Sequence, residues 1–282
     1  MRMLKISKLH TFLIGITMMV ILLCCSSQVQ AAQSGDFTYT ITNGVAQFTG
    51  YTGGGDVTIP STLGGAPVTS IGYPAFYNCT GLTSISIPQG VTSIGGGAFN
   101  GCTGLASINL PQGLMSIGEE AFSGCAGLTS INIPQGVTTI GYGAFMGCTN
   151  LTNITTDVGN LNYASMNGVL YNKAGTTIIA CPGGLTSINI PQGVTTIGSA
   201  AFENCANLTS VNIPKGLTSI GDSAFEYCID LTSITFNSPT TTIYDDANTI
   251  PANTTIIGYT PSTAQAYAVK YGTPFQVTPK TL

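Results

Sequence analysis

Tryptophan is absent from this sequence, and charged residues of every kind make up only 6% of it. The single histidine, His10, and the single arginine, Arg2, both lie in the first ten residues. Nucleophilic catalysis in the rest of the chain would therefore have to do without an imidazole base. The remaining lysines, Lys173, Lys215, Lys270 and Lys280, are scattered. A basic footprint is missing too: beyond residue 31, four lysines face eleven Asp and Glu, a net of −7. Nucleic acids and anionic membranes are thus excluded as partners. There is no CxxC and no Cys/His pair of the kind that holds zinc, so neither a metal nor a cofactor is expected. The longest apolar run, Thr11 to Cys25, has 15 residues, short of the ~20 that a membrane-spanning helix needs.

That run has another use. Arg2, Lys5 and Lys8 precede it, and "VQA" at Val29 to Ala31 follows with small residues where a signal peptidase cuts. Residues 1–31 are read as a secretory signal peptide cleaved after Ala31. A lipid-modified Cys24 or Cys25 is the other option, but Leu22 and Leu23 are bulky where such signals carry small residues. The protein is expected to be exported, secreted or held at the cell surface, with no segment inserted in a membrane after cleavage.

What the sequence has in abundance is repetition. From Leu82 the units "LTSISIPQGVTSIGGGAFNGCTG", "LASINLPQGLMSIGEEAFSGCAG" and "LTSINIPQGVTTIGYGAFMGCTN" follow one another, each 23 residues long. The same unit resumes at Leu185 and Leu208, after an irregular stretch, 151–184, that is 11 residues longer. Within a unit, Ile85 and Ile87 alternate with Ser84 and Ser86, the period of a half-buried strand. Pro88 and Gly90 turn the chain, and "VTSIG" supplies a second short extended piece. Ala98, Phe99, Cys102 and Leu105 then fall on one face of a helical turn. One coil cannot bury its apolar side alone; coils stacked about 4.8 Å apart merge those sides into one core.

The pattern LxxIxI–P–x–G–V–x–x–I–G–x–x–A–F–x–x–C resembles the leucine-rich repeats of the BspA-like family. That resemblance implies a leucine-rich-repeat solenoid of 23-residue coils, mostly β with short helical turns, over residues 68–236. Residues 32–67 would form an N-terminal capping segment, with a hairpin over Tyr39 to Val57. Residues 237–282 would form a C-terminal cap and tail, in which "PSTAQAYAVKYG" reads as a helix with Ser262 as N-cap and Gly272 just past its end. "GVLYNKAGTTII" in the irregular unit reads as a hairpin turning at Asn172 to Gly175.

Cys79, Cys102, Cys125, Cys148, Cys205 and Cys228 share one repeat position and form a column, with Cys181 outside the register. Tetrahedral zinc needs four ligands around one point, and a linear column offers one sulfur per coil. Disulfides between neighbouring coils fit an exported protein, but the odd number and the apolar position favour buried, reduced thiols acting as small hydrophobes. The carboxylates Glu119, Glu120, Glu203, Asp222, Glu226 and Asp230 cluster on the helical side, where a solvated outer face is the plainest reading.

Candidate ligand contacts lie on the outward face of the strands: Ser84 and Ser86, Ser107 and Asn109, Ser130 and Asn132, Ser187 and Asn189, Ser210 and Asn212, Ser233 and Thr235. The hairpin from Tyr163 to Tyr171 is a secondary candidate. The resemblance implies a non-enzymatic adhesion or protein-binding module for a protein or glycan ligand on a host matrix or cell surface. A structural spacer or self-assembling surface component is the alternative, and a glycan- or ice-binding solenoid is a third. Oligomeric state cannot be read from the sequence.

Overall fold

The computed structural model describes residues 30–278. The expected leader falls outside this span except for its last two residues, as do Cys24 and Cys25. The repeats wind into coils with three sides, and each side stacks on its counterpart one coil on. The first side is the "LTSISI" strand, paired in parallel so that Ser84 faces Ser107 and Ile85 faces Ile108. Beyond the irregular unit, Ser187, Ser210, Ser233 and Thr255 align in the same way. Ile85, Ile108, Ile131, Ile154, Val211 and Ile234 point inward and are buried. The second side is the "TSI" or "TTI" piece, where Ile71, Ile94, Ile117 and Ile140 stack in register.

On the third side, turn follows turn. Its N–H groups alternate: Asn100 donates to the Gly97 carbonyl at 3.1 Å and Cys102 to Phe99 at 3.1 Å, but Phe99 donates to Ala121 of the next coil and Gly101 to Ser123, each at 2.8 Å. A continuous α-helix would keep all these bonds internal. It is interrupted because Gly97 and Gly101 sit at φ 57° and 76°, a left-handed conformation that returns N–H groups toward the neighbouring coil. The third side is therefore a ladder as well, and all three sides hold the coils at strand spacing.

That spacing suits an aromatic ring. Phe76 and Phe99 stack at 5.0 Å, Phe99 and Phe122 at 5.2 Å, and Phe122 and Phe145 at 5.8 Å, with ring planes within 7° of parallel. Each such contact adds roughly 0.5–1.5 kcal/mol beyond the burial of its area. The stack is interrupted by the irregular unit and resumes as Phe202 and Phe225 at 4.8 Å.

The ends are built differently. Three antiparallel strands, β1 (Gln30–Ser34), β2 (Phe37–Thr42) and β3 (Val45–Tyr51), form the N-terminal cap. It starts upstream of the hairpin expected over Tyr39 to Val57. Its tight turn lies at Asn43–Gly44, both left-handed, the turn whose twist matches a hairpin. The strand β3 then pairs in parallel with Ala66–Ile71 and starts the second side. At the other end the ladder outlasts the sequence pattern: Thr255–Gly258 and Phe275–Val277 add two parallel rungs beyond residue 236. Backbone pairing requires no particular side chain, so it persists after the motif decays. The helix Thr263–Tyr271 lies between them, with the Ser262 side chain accepting from the Gln265 N–H and Gly272 at φ 72°.

In the irregular unit Tyr163–Met166, Val169–Asn172 and Thr177–Ala180 form an antiparallel meander. The Asn172 side chain accepts from the N–H groups of Thr176 and Thr177 and fixes the expected hairpin turn. The last strand then pairs in parallel with Thr196–Ile197 and restarts the second side. Asn160, fully buried, ties this unit to the coil before it: its amide donates to the Pro134 carbonyl at 2.8 Å and accepts from the N–H groups of Asn162 and Tyr163.

The close approach of the coils at the corner after the second side yields a test. A Cβ at Gly118 would lie 2.6 Å from the Gly95 carbonyl carbon, whereas one at the exposed Gly193 would meet nothing within 4 Å. Gly118→Ala is expected to cost about 1–3 kcal/mol in urea unfolding, while Gly193→Ala stays within about 0.5 kcal/mol of the parent. Equal costs at the two positions would contradict this packing.

Candidate functional site

The strand face carries two rows of outward side chains. One holds Ser84, Ser107, Ser130, Ser187, Ser210 and Ser233; the other holds Ser86, Asn109, Asn132, Asn189, Asn212 and Thr235. All are exposed except Ser84, Ser233 and Thr235, which are half-buried. The rows run in blocks, because the strand pairing is interrupted between Ser107–Asn109 and Ser130–Ile133, and again across the irregular unit. A polar groove of about 390 Å³ opens at the first interruption, between Asn109, Gln112, Ser130 and Asn132.

Several of these groups are already engaged. Asp56 Oδ1 accepts from the hydroxyls of Thr83 and Ser84, both at 2.7 Å, and these bonds hold its carboxyl below the usual range. Asn132 donates to Asp157 at 2.7 Å and accepts from Thr155 at 2.9 Å. Asn212 accepts from Asn237. Asp157 and Asn237 stand where other units carry proline, so their N–H groups also join the ladder, on Ile133 and Ile213. Ser86, Ser107, Asn109, Ser130, Ser187, Asn189 and Ser210 keep their side-chain hydrogen-bonding capacity free among the described residues. Threonines flanking the strands are committed: Thr138 donates to the Met115 carbonyl, Thr218 to Thr195 and Thr232 to Thr209.

The cysteines form an internal column with a specific contact. Cys102, Cys125, Cys148 and Cys228 are fully buried, and each thiol points at the carbonyl of a phenylalanine in the preceding coil, 3.0–3.1 Å away. That carbonyl already accepts from the cysteine N–H of its own coil; the thiol, a weak donor, takes its second lone pair. Cys181 and Cys205 are buried as well, with looser contacts, and Cys79 is half-buried. All seven are free. Burial pushes Cys148 up to about 12, and Cys228 and Cys79 shift upward for the same first cause.

The irregular unit creates a feature that the repeat pattern alone did not indicate. A cleft of about 240 Å³ lies between the third side of the coil Gly141–Cys148 and that of the coil Gly198–Cys205. Tyr142 Oη donates to Glu203 Oε2 across it at 3.1 Å. Glu203, expected among solvated carboxylates, is only 8% exposed. Burial raises its pKa, with Glu226, Glu120 and Asp222 adding to the effect and the Tyr142 hydrogen bond opposing it. Burial likewise raises Tyr142 to about 12. The one available signal was Tyr142 itself, aromatic like Tyr73 at a position held by Gly96, Glu119, Ser199 and Asp222 in other units. In the adjacent meander Tyr171 is 1% exposed and belongs to the core, which leaves Tyr163 as the half-buried aromatic of that candidate contact site.

The BspA type leucine-rich repeat region matches this chain in six copies, over residues 69–178 and 180–259. Among solved structures, a leucine-rich repeat protein from Eubacterium ventriosum is similar, with a TM-score of 0.51 and 22% identity over 82% of this chain and 80% of that one. The leucine-rich repeat protein of T. pallidum aligns at TM-score 0.48 and 27% identity, covering 88% and 98% of the two chains. A leucine-rich cell surface protein from Faecalibacterium prausnitzii aligns at TM-score 0.37 and 24% identity, covering 91% and 97%. No curated protein matches.

The thiol environment predicts reactivity directly. In the folded chain from Ala32 onward, a thiol reagent is expected to modify Cys79 alone, with the other six reacting only after denaturation. Native labelling of all seven would contradict the column. Stability should also fall as pH rises from about 9 toward 12, because the Cys148 and Cys228 thiols ionise first in the unfolded chain while burial keeps them protonated in the folded one. Each of these two thiols would contribute about 1.4 kcal/mol per pH unit in that window. Unfolding curves from pH 7 to 11, compared between the parent and Cys148→Ala, measure this.

Proposed function

Since the chain belongs to the BspA-type leucine-rich repeat family, we propose that it is an exported protein-interaction module that acts by binding and not by catalysis. Its ligand contacts are the uncommitted side chains of the strand face. The observation that carries this reading is the register of that face. Ser86, Ser107 and Asn109 in one block, and Ser187, Asn189 and Ser210 in another, are exposed, uncharged and held at strand spacing by the ladder beneath. Ser130 is exposed beyond the first interruption, and all keep free donors and acceptors. Such a surface pays little ordering entropy on binding and suits neutral hydrogen-bonding ligands, either polypeptide or glycan. The basis for export is the leader pattern at residues 1–31, and adhesion to a host matrix or another cell is the role this surface would serve there.

A second reading, a self-assembling surface component, has its own observation. Gly55–Thr58 and Phe275–Val277 are terminal strands of their sheets among the described residues, and terminal strands offer unpaired backbone to another chain. An ice-binding role is disfavoured, because the threonine hydroxyls flanking the strands donate to backbone carbonyls instead of facing solvent freely.

The chain from Ala32 onward, applied to an array of matrix proteins and glycans, separates these readings. Saturable binding that falls at least about tenfold in the double variant Ser130→Arg with Asn189→Arg, while the fold is retained, supports the strand face. Binding unchanged by that double variant would overturn it. No binding, together with assembly that grows with protein concentration, would favour the structural reading.

A further inference from the structure

On the third side of every regular coil, the phenylalanine N–H bonds to the next coil. Phe76 donates to Ala98, Phe99 to Ala121, Phe122 to Ala144 and Phe202 to Ala224, at 2.8–2.9 Å. Even Phe225, at the last motif, finds the Thr249 carbonyl at 3.0 Å. Phe145 is the exception. The irregular unit that follows it brings no third-side turn of its own. The N–H groups of Gly143, Phe145 and Gly147, which by register should cross to a neighbour, find no acceptor among the described residues. Phe145 is nonetheless 3% exposed, and a buried N–H without a partner is rare in folded proteins.

The opposite wall has the complementary deficit. The carbonyls of Ser199, Ala201 and Glu203 would receive the preceding coil's donors by register. Cys181 N–H takes Ala201 at 2.7 Å, and the other two accept nothing among the described residues. Between the walls lies the cleft of about 240 Å³, lined by Ile140, Met146, Ile179, Ala180 and Ala200. One rung of a ladder is missing here, and space is left where it would lie.

We propose that this cleft is a peptide slot, which takes a short extended segment of a partner protein as the missing rung. Of these donors Gly143 and Phe145, at residues i and i+2, line the cleft, and they match the carbonyls on one edge of an extended chain, which recur every second residue. Such a chain also carries N–H groups for the Ser199 and Glu203 carbonyls, a pairing that a simple anion cannot supply. Charge points the same way. Glu203 sits in the cleft with Glu120, Asp222 and Glu226 near enough to raise its pKa, so a neutral or basic segment fits and an acidic one is repelled. The Tyr142–Glu203 hydrogen bond spans the slot and would yield when it fills. This site is separate from the strand face, so either one can fail without the other.

The test uses the chain from Ala32 onward and a capped peptide of its own uncharged rung sequence, Gly95 to Gly101, alongside the same peptide N-methylated at alternate residues. Amide resonances of Gly143 and Phe145 are followed by NMR. Saturable shifts at these two amides with the plain peptide, hydrogen exchange slowed about tenfold or more, and no effect from the N-methylated peptide are the expected result. Met146→Arg, which fills the mouth of the slot, should abolish the shifts while leaving strand-face binding unchanged. Absence of shifts at these amides, or equal binding of the N-methylated peptide, would overturn the proposal.

Discussion

A buried peptide group must find a partner, and on every side of this coil a large share of the peptide groups find theirs in the neighbouring coil. That requirement acts on all three sides of the coil and sets the distance between coils. Phenylalanine rings stack because the ladder brings them within about 5 Å of one another. Glycine occupies the corner after the second side because a side chain there would strike the preceding coil's backbone. Cysteine occupies its column because the volume is small and dry, yet a phenylalanine carbonyl there has a lone pair to satisfy. Serine, with its stronger desolvation cost, and alanine, with no donor, would each meet only part of that demand.

The repeat made the architecture readable. A 23-residue period with isoleucines two apart gives strand register, the odd cysteine fell outside the column as its spacing implied, and Ser262 and Gly272 bracket the helix where capping chemistry puts them. What could not be read depends on contacts between coils. The AFxxC segment looks helical because its apolar residues share one face; left-handed residues such as Gly97, Gly101 and, against propensity, Glu120 and Tyr227 turn it into a ladder. Thr218 and Thr232, flanking the strands, donate to backbone carbonyls of the preceding coil, which their place in the repeat does not reveal. Of the outward side chains, the sequence could not tell Asn109, which is free, from Asn132, which Asp157 and Thr155 hold. The burial of Glu203 and the role of Asn160 arise only where the irregular unit brings distant coils together.

A scaffold so uniform carries information chiefly where its ladder leaves something unpaired. The strand face leaves side chains unpaired and presents them in rows, which suits recognition of an extended neutral ligand. The irregular unit leaves backbone unpaired, in a cleft lined by apolar groups and edged by carboxylates. Both follow from the same geometry: a register that is strict over most of its length makes each departure from it a defined place on the surface.

Native-state hydrogen exchange resolved at the phenylalanine amides tests that geometry most directly. Phe99, Phe122 and Phe202 should exchange only through global or near-global unfolding, whereas Phe145, with no acceptor across the cleft, should exchange faster by at least about two orders of magnitude. If Phe145 were protected as strongly as Phe122, the third ladder would be continuous through the irregular unit, and the slot would not exist.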